Sequence, residues 1–227
     1  MPISDQALAV NDPDTSIVLT LPPQLFSQKR EITIEKGESP FTFIDTQKYF
    51  YFILSGKIKI SQINTDTSKE QTTHLLTRGD MFDVVTLLDG MSHEYIATAL
   101  ETTKMVQVPI DSVRDRIKSD PEFNRFFFPY LGKQMRSLEN LAIDLSLYDV
   151  YQRLLRLIAR NIQQTDDGLD LHLINDLSNE ELAALVGTVR KVLNRNLQKL
   201  KKEGIINISR KKLTLQDLDA LFDSLEY

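Results

Sequence analysis

Residues 177–204 read LSNEELAALVGTVRKVLNRNLQKLKKEG and carry the signals of two helices joined by a tight turn. Ser178, followed by Glu181 and an apolar run, has the spacing of a capping box, which starts a short helix. Gly187 suits the turn, and the apolar spacing after it predicts a second helix over about residues 188–203. Two helices joined in this way form a helix-turn-helix, so the segment predicts a DNA-binding unit.

A β-hairpin is predicted directly after the second helix. Gly204 ends that helix, and two apolar runs at residues 205–208 and 213–215 flank the basic residues 210–212. A hairpin in this position is the wing of a winged helix-turn-helix.

Positive charge is concentrated in this part of the chain. The whole chain has 27 Lys and Arg against 32 Asp and Glu, a net charge of −5. Residues 178–212 hold nine of the basic residues and three of the acidic ones, so they carry +6 and the remainder carries −11. An acidic protein would ordinarily avoid nucleic acid, but this local excess favours a DNA-binding surface over a merely solvated basic helix face.

The N-terminal part of the second helix is predicted to enter the major groove, where Arg or Lys reads guanine and Asn reads adenine. Side chains around it, including those of the wing, are predicted to hold phosphates. The predicted DNA-contacting residues are Ser178, Thr188, Arg190, Lys191, Asn194, Arg195, Lys199 and Lys211.

Residues 32–109 read as short strands separated by polar or glycine-containing turns. Residues 49–54 are aromatic and apolar, and residues 57–60 alternate strictly between Lys and Ile. Several short strands at this spacing predict an antiparallel sandwich or barrel-like roll. Helical patterns follow Pro109, so an α+β protein is predicted, with a short helix first over residues 113–119.

A long helix is predicted to begin at Asp120 and Pro121 and to end near Tyr148, with Pro129 kinking its early turns. Its apolar residues recur with 3-4-3-4-3 spacing, which is typical of a helix–helix seam. The stripe predicts a dimer interface, although the same spacing would suit packing against the helix's own β-domain. It consists of Phe128, Leu131, Met135, Leu138, Ala142 and Leu145.

Composition excludes several classes of protein. The chain has no cysteine, which rules out disulfides, thiolate zinc sites and cysteine-bound iron–sulfur clusters. Residues 1–25 contain three Asp and no basic residue, unlike a signal peptide, and no apolar run approaches the roughly 20 residues of a membrane span. Three scattered histidines and the lack of a G-x-S-x-G motif argue against an enzyme. We therefore expect a soluble, cytoplasmic protein that contacts no membrane.

Five segments, taken in order, resemble motifs of the Crp/Fnr family of bacterial transcription regulators, over nearly the whole chain. Residues 51–60 and 75–82 resemble the family's β-roll, and residues 149–154 resemble its hinge and first DNA-domain helix. Residues 185–195 and 204–206 resemble its reading helix and wing.

The resemblance implies three segments. These are a β-roll sensor of the cyclic-nucleotide-binding type at residues 1–118, a dimerisation helix at 119–148 and a winged helix-turn-helix at 149–227. It also implies a homodimer on a pseudo-palindromic double-stranded operator, with half-sites about 34 Å apart. The resemblance to the Crp/Fnr family also implies RNA polymerase as a protein partner.

Several residues depart from the family's cyclic-nucleotide site. Members that bind cyclic AMP hold its phosphate with a Glu and an Arg-Ser pair, where this chain has Val84 and Glu94-Tyr95. The Thr-Ser pair that reads adenine in those members falls on Leu138-Glu139. Because the carboxylate of Glu94 would repel a phosphate, we expect a signal other than cyclic AMP.

The predicted effector pocket is apolar, and its ligand stays open. An apolar ligand, a haem that senses nitric oxide, and control by protein level without a ligand are the alternatives. Members that sense carbon monoxide through haem have a His ligand where Val85 stands, and the chain's histidines are His74, His93 and His172. The pocket candidates are Met81, Phe82, Val85, Tyr95, Leu138 and Leu141.

The reading helix departs from the family as well. Lys191 and Val192 stand where members usually have Glu, often followed by Thr, whereas Arg195 keeps the family identity. Glu accepts a hydrogen bond from cytosine, but Lys donates to guanine or to phosphate. We therefore expect an operator different from the family's usual TGTGA or TTGAT half-sites.

Overall fold

The structure is a computed structural model, and it describes residues 27–165, 168–171, 173–209 and 212–225. Within these residues the chain forms two compact units. The first unit comprises residues 27–62 and 72–139, and the second comprises residues 63–71 and the described part of 140–225. None of the described helices is long and apolar enough to cross a membrane.

The predicted roll of short strands is confirmed. Two sheets have the strand orders β1-β7-β2-β5 and β4-β3-β6, and β2 pairs antiparallel with both of its neighbours. The strands are β1 (Arg30–Ile34), β2 (Tyr49–Ser55), β3 (Ile58–Asn64), β4 (Lys69–Leu76), β5 (Met81–Phe82), β6 (Ile96–Ala99) and β7 (Thr103–Pro109).

Helices follow and interrupt these strands; they are α1 (Phe43–Thr46), α2 (Val84–Asp89), α3 (Ile110–Ser119) and α4 (Pro121–Leu147). The helix expected from residue 113 begins three residues earlier. Asp120 caps α4 as predicted, because its Oδ1 accepts the backbone N–H groups of Glu122 and Phe123 at 3.1 Å each. α4 continues through Pro129 as one helix of 27 residues, and the kink at this proline stays a prediction.

The core of the roll lies on both faces of β2. Successive side chains of a strand point to opposite faces, and here both faces are apolar. Phe50 and Phe52 pack into one cluster with residues of α3 and α4. Tyr51 and Ile53 pack into a second cluster that joins residues of both sheets. A strand buried on both faces explains why residues 49–54 lack hydrophobic alternation.

The second unit contains the predicted winged helix-turn-helix. α5 begins after Asp149, whose carboxylate accepts the backbone N–H of Gln152 at 2.9 Å. The wing strands pair antiparallel from Ile206 opposite Leu215 to Ser209 opposite Lys212. The elements are α5 (Val150–Arg160), β8 (Gln163–Thr165), β9 (Gly168–Asp170), α6 (Asn179–Val186), α7 (Arg190–Lys202), β10 (Ile206–Ser209), β11 (Lys212–Leu215) and α8 (Leu218–Asp223).

Candidate nucleic-acid interface

The capping box at the start of α6 is present. The Ser178 hydroxyl accepts the backbone N–H of Glu181 at 3.2 Å, and the Glu181 carboxylate accepts the backbone N–H of Ser178. Because only the acceptor side of the Ser178 hydroxyl is used in these bonds, its O–H can still donate to a phosphate oxygen. The predicted role of Ser178 as a phosphate contact therefore agrees with its role as a helix cap.

Gly187 makes the turn between α6 and α7 with a φ of +72°, in the left-handed region that favours glycine. The surrounding chain also leaves no space for a side chain. A Cβ at this position would lie 2.5 Å from Oε1 of Gln71 and 2.6 Å from Cδ2 of Leu145. The positive φ therefore favours glycine at the turn, and any Cβ there would also require the ends of the Gln71 and Leu145 side chains to shift.

The start of α7 differs from the prediction by two residues. The helix begins at Arg190 and not at Thr188, which lies half-buried in the turn and donates its backbone N–H to Ala183 O at 2.9 Å. Val189 takes the N-cap position, and it has no side-chain acceptor for the first N–H groups of α7. An uncapped helix N-terminus is suited to a phosphate.

An apolar face positions α7 within its unit. Leu193, Leu197 and Leu200 are buried, and α7 packs against both α5 and α6. Asn196 is also buried, and its side-chain amide donates to Val192 O at 3.1 Å. Burial of this face leaves the basic face of the same helix in solvent.

Four of the predicted DNA contacts, Arg190, Lys191, Asn194 and Arg195, lie in the N-terminal half of α7, the part predicted to read bases. The first helix of the motif holds two of them. Arg190 Nη1 lies 2.6 Å from Oε1 of Glu180. Asn194 Oδ1 accepts a hydrogen bond of 2.7 Å from Nδ2 of Asn179. Glu180 and Asn179 are adjacent at the start of α6. The start of α6 therefore restrains one side of the face that carries Arg190, Lys191, Asn194 and Arg195, which we call the reading face.

The other two base-reading candidates, Lys191 and Arg195, are exposed. Neither makes a side-chain hydrogen bond or ion pair with the described residues. They are four residues apart, so they lie on one face of α7 about one turn apart. The structure thus brings together two unengaged cations at the position where a helix-turn-helix reads bases.

Lys199, predicted to contact DNA, is engaged within the protein. Its ammonium lies 3.7 Å from the centre of the Tyr151 ring and 3.8 Å from Oε1 of Glu203. Tyr151 in turn donates a short hydrogen bond to Glu203, and burial together with this acceptor raises the pKa of the phenol. Lys199 therefore ties α7 to α5. Lys211, the last predicted DNA contact, lies outside the described residues.

The predicted effector-pocket residues of the roll do not belong to one cluster. Met81 belongs to the core cluster beneath α3 and α4, whereas Phe82 belongs to the cluster that joins the two sheets. Tyr95 packs edge-on against Phe82, with 5.1 Å between the ring centres. Val85 is exposed, and so is Leu138. Leu141 belongs to the second unit and is partly buried there.

Asp83 occupies the start of α2 with a buried carboxylate that is 1% exposed. Its Oδ1 accepts the backbone N–H groups of Val85 and Thr86, at 3.0 and 3.3 Å, and its Oδ2 accepts the Thr86 hydroxyl at 2.8 Å. His93 Nδ1 lies 3.5 Å from the same carboxylate. The Asp83 carboxylate therefore already occupies the N–H groups of Val85 and Thr86 at the start of α2.

The described histidines make contacts within the protein. His74 packs edge-on against Phe82 and its Nδ1 lies 3.1 Å from Thr73 Oγ1, and burial lowers its pKa. An open cavity of about 340 Å³ in the roll is lined by residues such as Phe41, Phe43 and Ile96, and neither His74 nor His93 lines it. Among the described residues, no group of three His, Asp or Glu side chains is arranged to hold a metal ion. His172 lies outside the described residues.

Two residues of the reading surface were missed by the sequence analysis. Glu180 is included there only among the three acidic residues of a basic segment, and Asn179 is given no role there. Their partners lie 10 and 15 residues further along the chain. No local spacing rule joins residues across a turn at these separations.

Two family models match the chain, one described as a cyclic nucleotide-binding domain over residues 31–120 and one as a Crp-like helix-turn-helix domain over residues 150–223. A CRP-like cAMP-activated global transcriptional regulator from Mycobacterium tuberculosis is 27% identical over 199 residues, which cover 87% of this chain and 88% of that protein. A global nitrogen regulator from Synechocystis is 26% identical over 223 residues, which cover 96% of this chain and 97% of that protein.

The fold has counterparts among solved structures. A CooA mutant from Carboxydothermus hydrogenoformans matches with a TM-score of 0.71 at 24% identity, over 86% of this chain and 87% of that one. The curated relatives are transcription regulators and not enzymes. With a nucleotide-binding-type roll followed by a helix-turn-helix whose second helix exposes a basic face, this chain belongs to the Crp/Fnr family of DNA-binding transcription regulators.

Proposed function

We propose that this regulator acts as a homodimer that recognises a pseudo-palindromic DNA site and responds to a signal other than cyclic AMP. The observation that carries the DNA-reading part is the pair Lys191 and Arg195, exposed and unengaged one turn apart on α7. Each can donate to the O6 and N7 atoms of guanine, and Arg195 can do so with two parallel hydrogen bonds.

Several features around this pair support binding to phosphates. The uncapped start of α7 offers backbone N–H groups, and Ser178 offers a hydroxyl donor. Lys201 and Lys202 are exposed at the other end of α7. A base-reading centre flanked by phosphate contacts on both sides is the arrangement that fixes a helix in the major groove.

Dimerisation is supported by the division of α4 into two apolar faces. Phe123, Phe127 and Tyr130 are buried in the cluster beneath the roll, so they supply the packing of α4 against its own β-domain. Leu131 packs partly against the same cluster. The remaining stripe residues are exposed, at 53% for Phe128, 64% for Met135, 38% for Leu138 and 37% for Leu145, and Ala142 is exposed as well.

An apolar stripe with coiled-coil spacing on one helix is stabilised when a second helix covers it. The same helix of a second copy has the same stripe, so a symmetric pair would bury both stripes at once. In this arrangement residues 1–118 serve as the sensor, 119–148 as the dimerisation segment and 149–227 as the DNA-binding domain.

The Asp83 carboxylate supports a signal other than cyclic AMP. It is buried and already accepts the N–H groups of Val85 and Thr86 at the start of α2, so a phosphate at this helix start would find these donors engaged by another anionic group. A neutral or apolar ligand would meet no such repulsion.

Salt-dependent binding tests the proposed DNA function. A site would be selected from randomised duplexes with the purified protein, and fluorescence anisotropy would then give Kd for this site and for random duplex between 50 and 200 mM salt. We expect preference for the selected site and a linear fall of log K with log salt. Arg195→Ala should lose most of the preference, whereas Lys104→Ala, an exposed lysine of β7, should not.

The absence of duplex binding at 50 mM salt would contradict the proposal. Cyclic AMP added at millimolar concentration should leave Kd for the selected site unchanged. A tenfold gain in affinity on its addition would contradict the assignment of a different signal.

A further inference from the structure

Glu180 and Arg190 face each other across the turn of the helix-turn-helix. Glu180 is the second residue of α6 and Arg190 is the first residue of α7, and the two side chains meet at 2.6 Å while 59% and 63% exposed. An acidic residue at this point is unexpected for a surface that should approach phosphates. The first helix of such a motif crosses the DNA backbone.

We propose that Glu180 is a specificity-determining residue, which withholds the Arg190 guanidinium from phosphates while leaving it able to read a guanine. This inference rests on the proposed DNA-reading function of α7. In the ion pair the two charges cancel, so the pair adds nothing to counterion release and therefore nothing to non-specific affinity.

The selectivity follows from the charge of the two possible DNA partners. A phosphate is anionic and would lie close to the Glu180 carboxylate, so it is repelled when it competes for Arg190. A guanine edge is neutral and presents only acceptors, so it is not repelled. The guanidinium has five N–H donors, and Nη1 alone is bonded to Glu180, which leaves donors for O6 and N7.

The residues of the reading face therefore differ in what they contribute to general and to sequence-specific DNA binding. Lys191 and Arg195 have no such counter-charge among the described residues, so they add both to general and to specific binding. Arg190 adds to specific binding only. Asn194 is restrained by Asn179 through neutral groups, so that contact changes no charge.

The test compares Glu180→Gln with Asp219→Asn, a matched control. Asp219 is exposed and is the second residue of α8, as Glu180 is of α6, so both variants remove one negative charge and the same favourable helix-dipole contact. Kd would be measured by anisotropy for random duplex and for the site selected with the wild-type protein, between 50 and 200 mM salt.

We expect Glu180→Gln to tighten binding to random duplex by roughly threefold at low salt. The slope of log K against log salt should become steeper by about one, which corresponds to one additional phosphate contact. Affinity for the selected site should change by less, so the preference for that site falls. Asp219→Asn should leave the slope as it is in the wild type.

The double variant Glu180→Gln with Arg190→Gln provides a second, independent readout. It removes a pair whose net charge is zero, so binding to random duplex and its salt slope should match the wild type. Binding to the selected site should weaken by about five- to 150-fold, the range expected for one base contact.

The outcomes separate the two proposals. Wild-type protein that binds no duplex would overturn both the proposed function and this inference. Wild-type protein that binds, with Glu180→Gln indistinguishable from Asp219→Asn, would overturn this inference alone. So would a double variant that loses random-duplex affinity as much as selected-site affinity, because Arg190 would then contact phosphate in the wild type. Circular dichroism would establish that every variant is folded.

Discussion

At the scale of single residues, the reading face of α7 is defined by which side chains are already engaged. Arg190, Asn194 and Lys199 each have a partner within the protein, whereas Lys191 and Arg195 have none among the described residues. An unengaged cation loses no internal contact when it binds DNA. These two residues are therefore expected to contribute most to base reading.

Replacing Lys191 by Glu should change the sequence that the protein prefers. Lys191 donates to guanine, whereas Glu would accept from the N4 amino group of cytosine. We expect site selection with Lys191→Glu to enrich cytosine at one position per half-site, with a discrimination of about 1–3 kcal/mol. Lys201→Glu makes the same charge change at the exposed C-terminal end of α7, and it should weaken binding to all DNA sequences by the same factor. An unchanged selected site in Lys191→Glu would contradict base reading by Lys191.

His74 is expected to make the stability of the roll depend on pH. Burial lowers its pKa, an effect that nearby His93 increases and that the Asp83 carboxylate opposes. Because the folded-state pKa lies below the unfolded value of about 6.5, the unfolded chain binds more protons as the pH falls through this range. His74 therefore makes the protein less stable at low pH and has no such effect well above pH 7.

Urea unfolding at pH 7.5 and 5.5 measures this effect. The wild type should lose more free energy of unfolding between these two values than His74→Gln, which cannot be protonated. Equal losses in the two proteins would show that His74 does not contribute to the pH dependence.

At the scale of elements, the end of α4 is tied to α5 by a buried carboxylate. Asp144 is 7% exposed, and it lies 2.7 Å from Arg156 Nε and 2.5 Å from Arg160 Nη1. The Arg156 guanidinium also stacks 4.3 Å from the centre of the Tyr148 ring. The corner between the two helices is therefore fixed by charge as well as by the cap at Asp149.

Removing the Asp144 charge should destabilise this corner. Breaking a largely buried ion pair leaves partners without compensation, so we expect Asp144→Asn to lower the free energy of unfolding by roughly 2–4 kcal/mol. Asp111→Asn is the control, because the Asp111 side chain is 83% exposed and its pair with Arg114 should contribute less than about 1 kcal/mol. Chemical denaturation monitored by circular dichroism gives both values. Equal losses of unfolding free energy in Asp144→Asn and Asp111→Asn would mean that burial does not strengthen the Asp144 pairs.

At the scale of the whole molecule, we propose that the two apolar faces of α4 separate packing within the chain from packing between two copies. The stripe of residues predicted as a dimer seam includes one residue, Leu131, that packs partly on the chain's own core. The others are exposed, and they include Met135 near the middle of the helix. α4 does pack on the chain's own β-domain, but mainly through Phe123, Phe127 and Tyr130, which lie outside the stripe, and the dimer interface stays a prediction.

Met135→Asp should weaken the proposed dimer. A charge at a seam position would be buried against an apolar partner, and we expect the dimer dissociation constant to rise by at least about tenfold. Ser137→Asp introduces the same charge at an exposed position off the stripe, and it should leave the dimer unchanged. Sedimentation equilibrium over a range of concentrations gives both constants. A Met135→Asp protein as dimeric as the wild type would place the interface elsewhere.

The amino-acid sequence by itself determined the elements and their order. The capping signals at Ser178 and Asp120, and the Gly187 turn, act over three or four residues, so they can be read without the fold. They predicted the helix-turn-helix and the start of the long helix, whereas the short-strand pattern of residues 32–109 predicted the roll. The start of α7 was predicted two residues early, because Thr188 is a good capping residue by type but lies half-buried in the turn.

Only the tertiary structure decided which charges remain available. The pairs Glu180–Arg190 and Asp144–Arg160 join residues on different helices, and the burial of Asp83 depends on how α2 packs against the roll. Capping and apolar periodicity are local interactions, and they specify where a helix begins and which face is buried. The angle at which two helices meet is set by packing over long separations, and this angle determines which side chains neutralise one another and which are left for DNA.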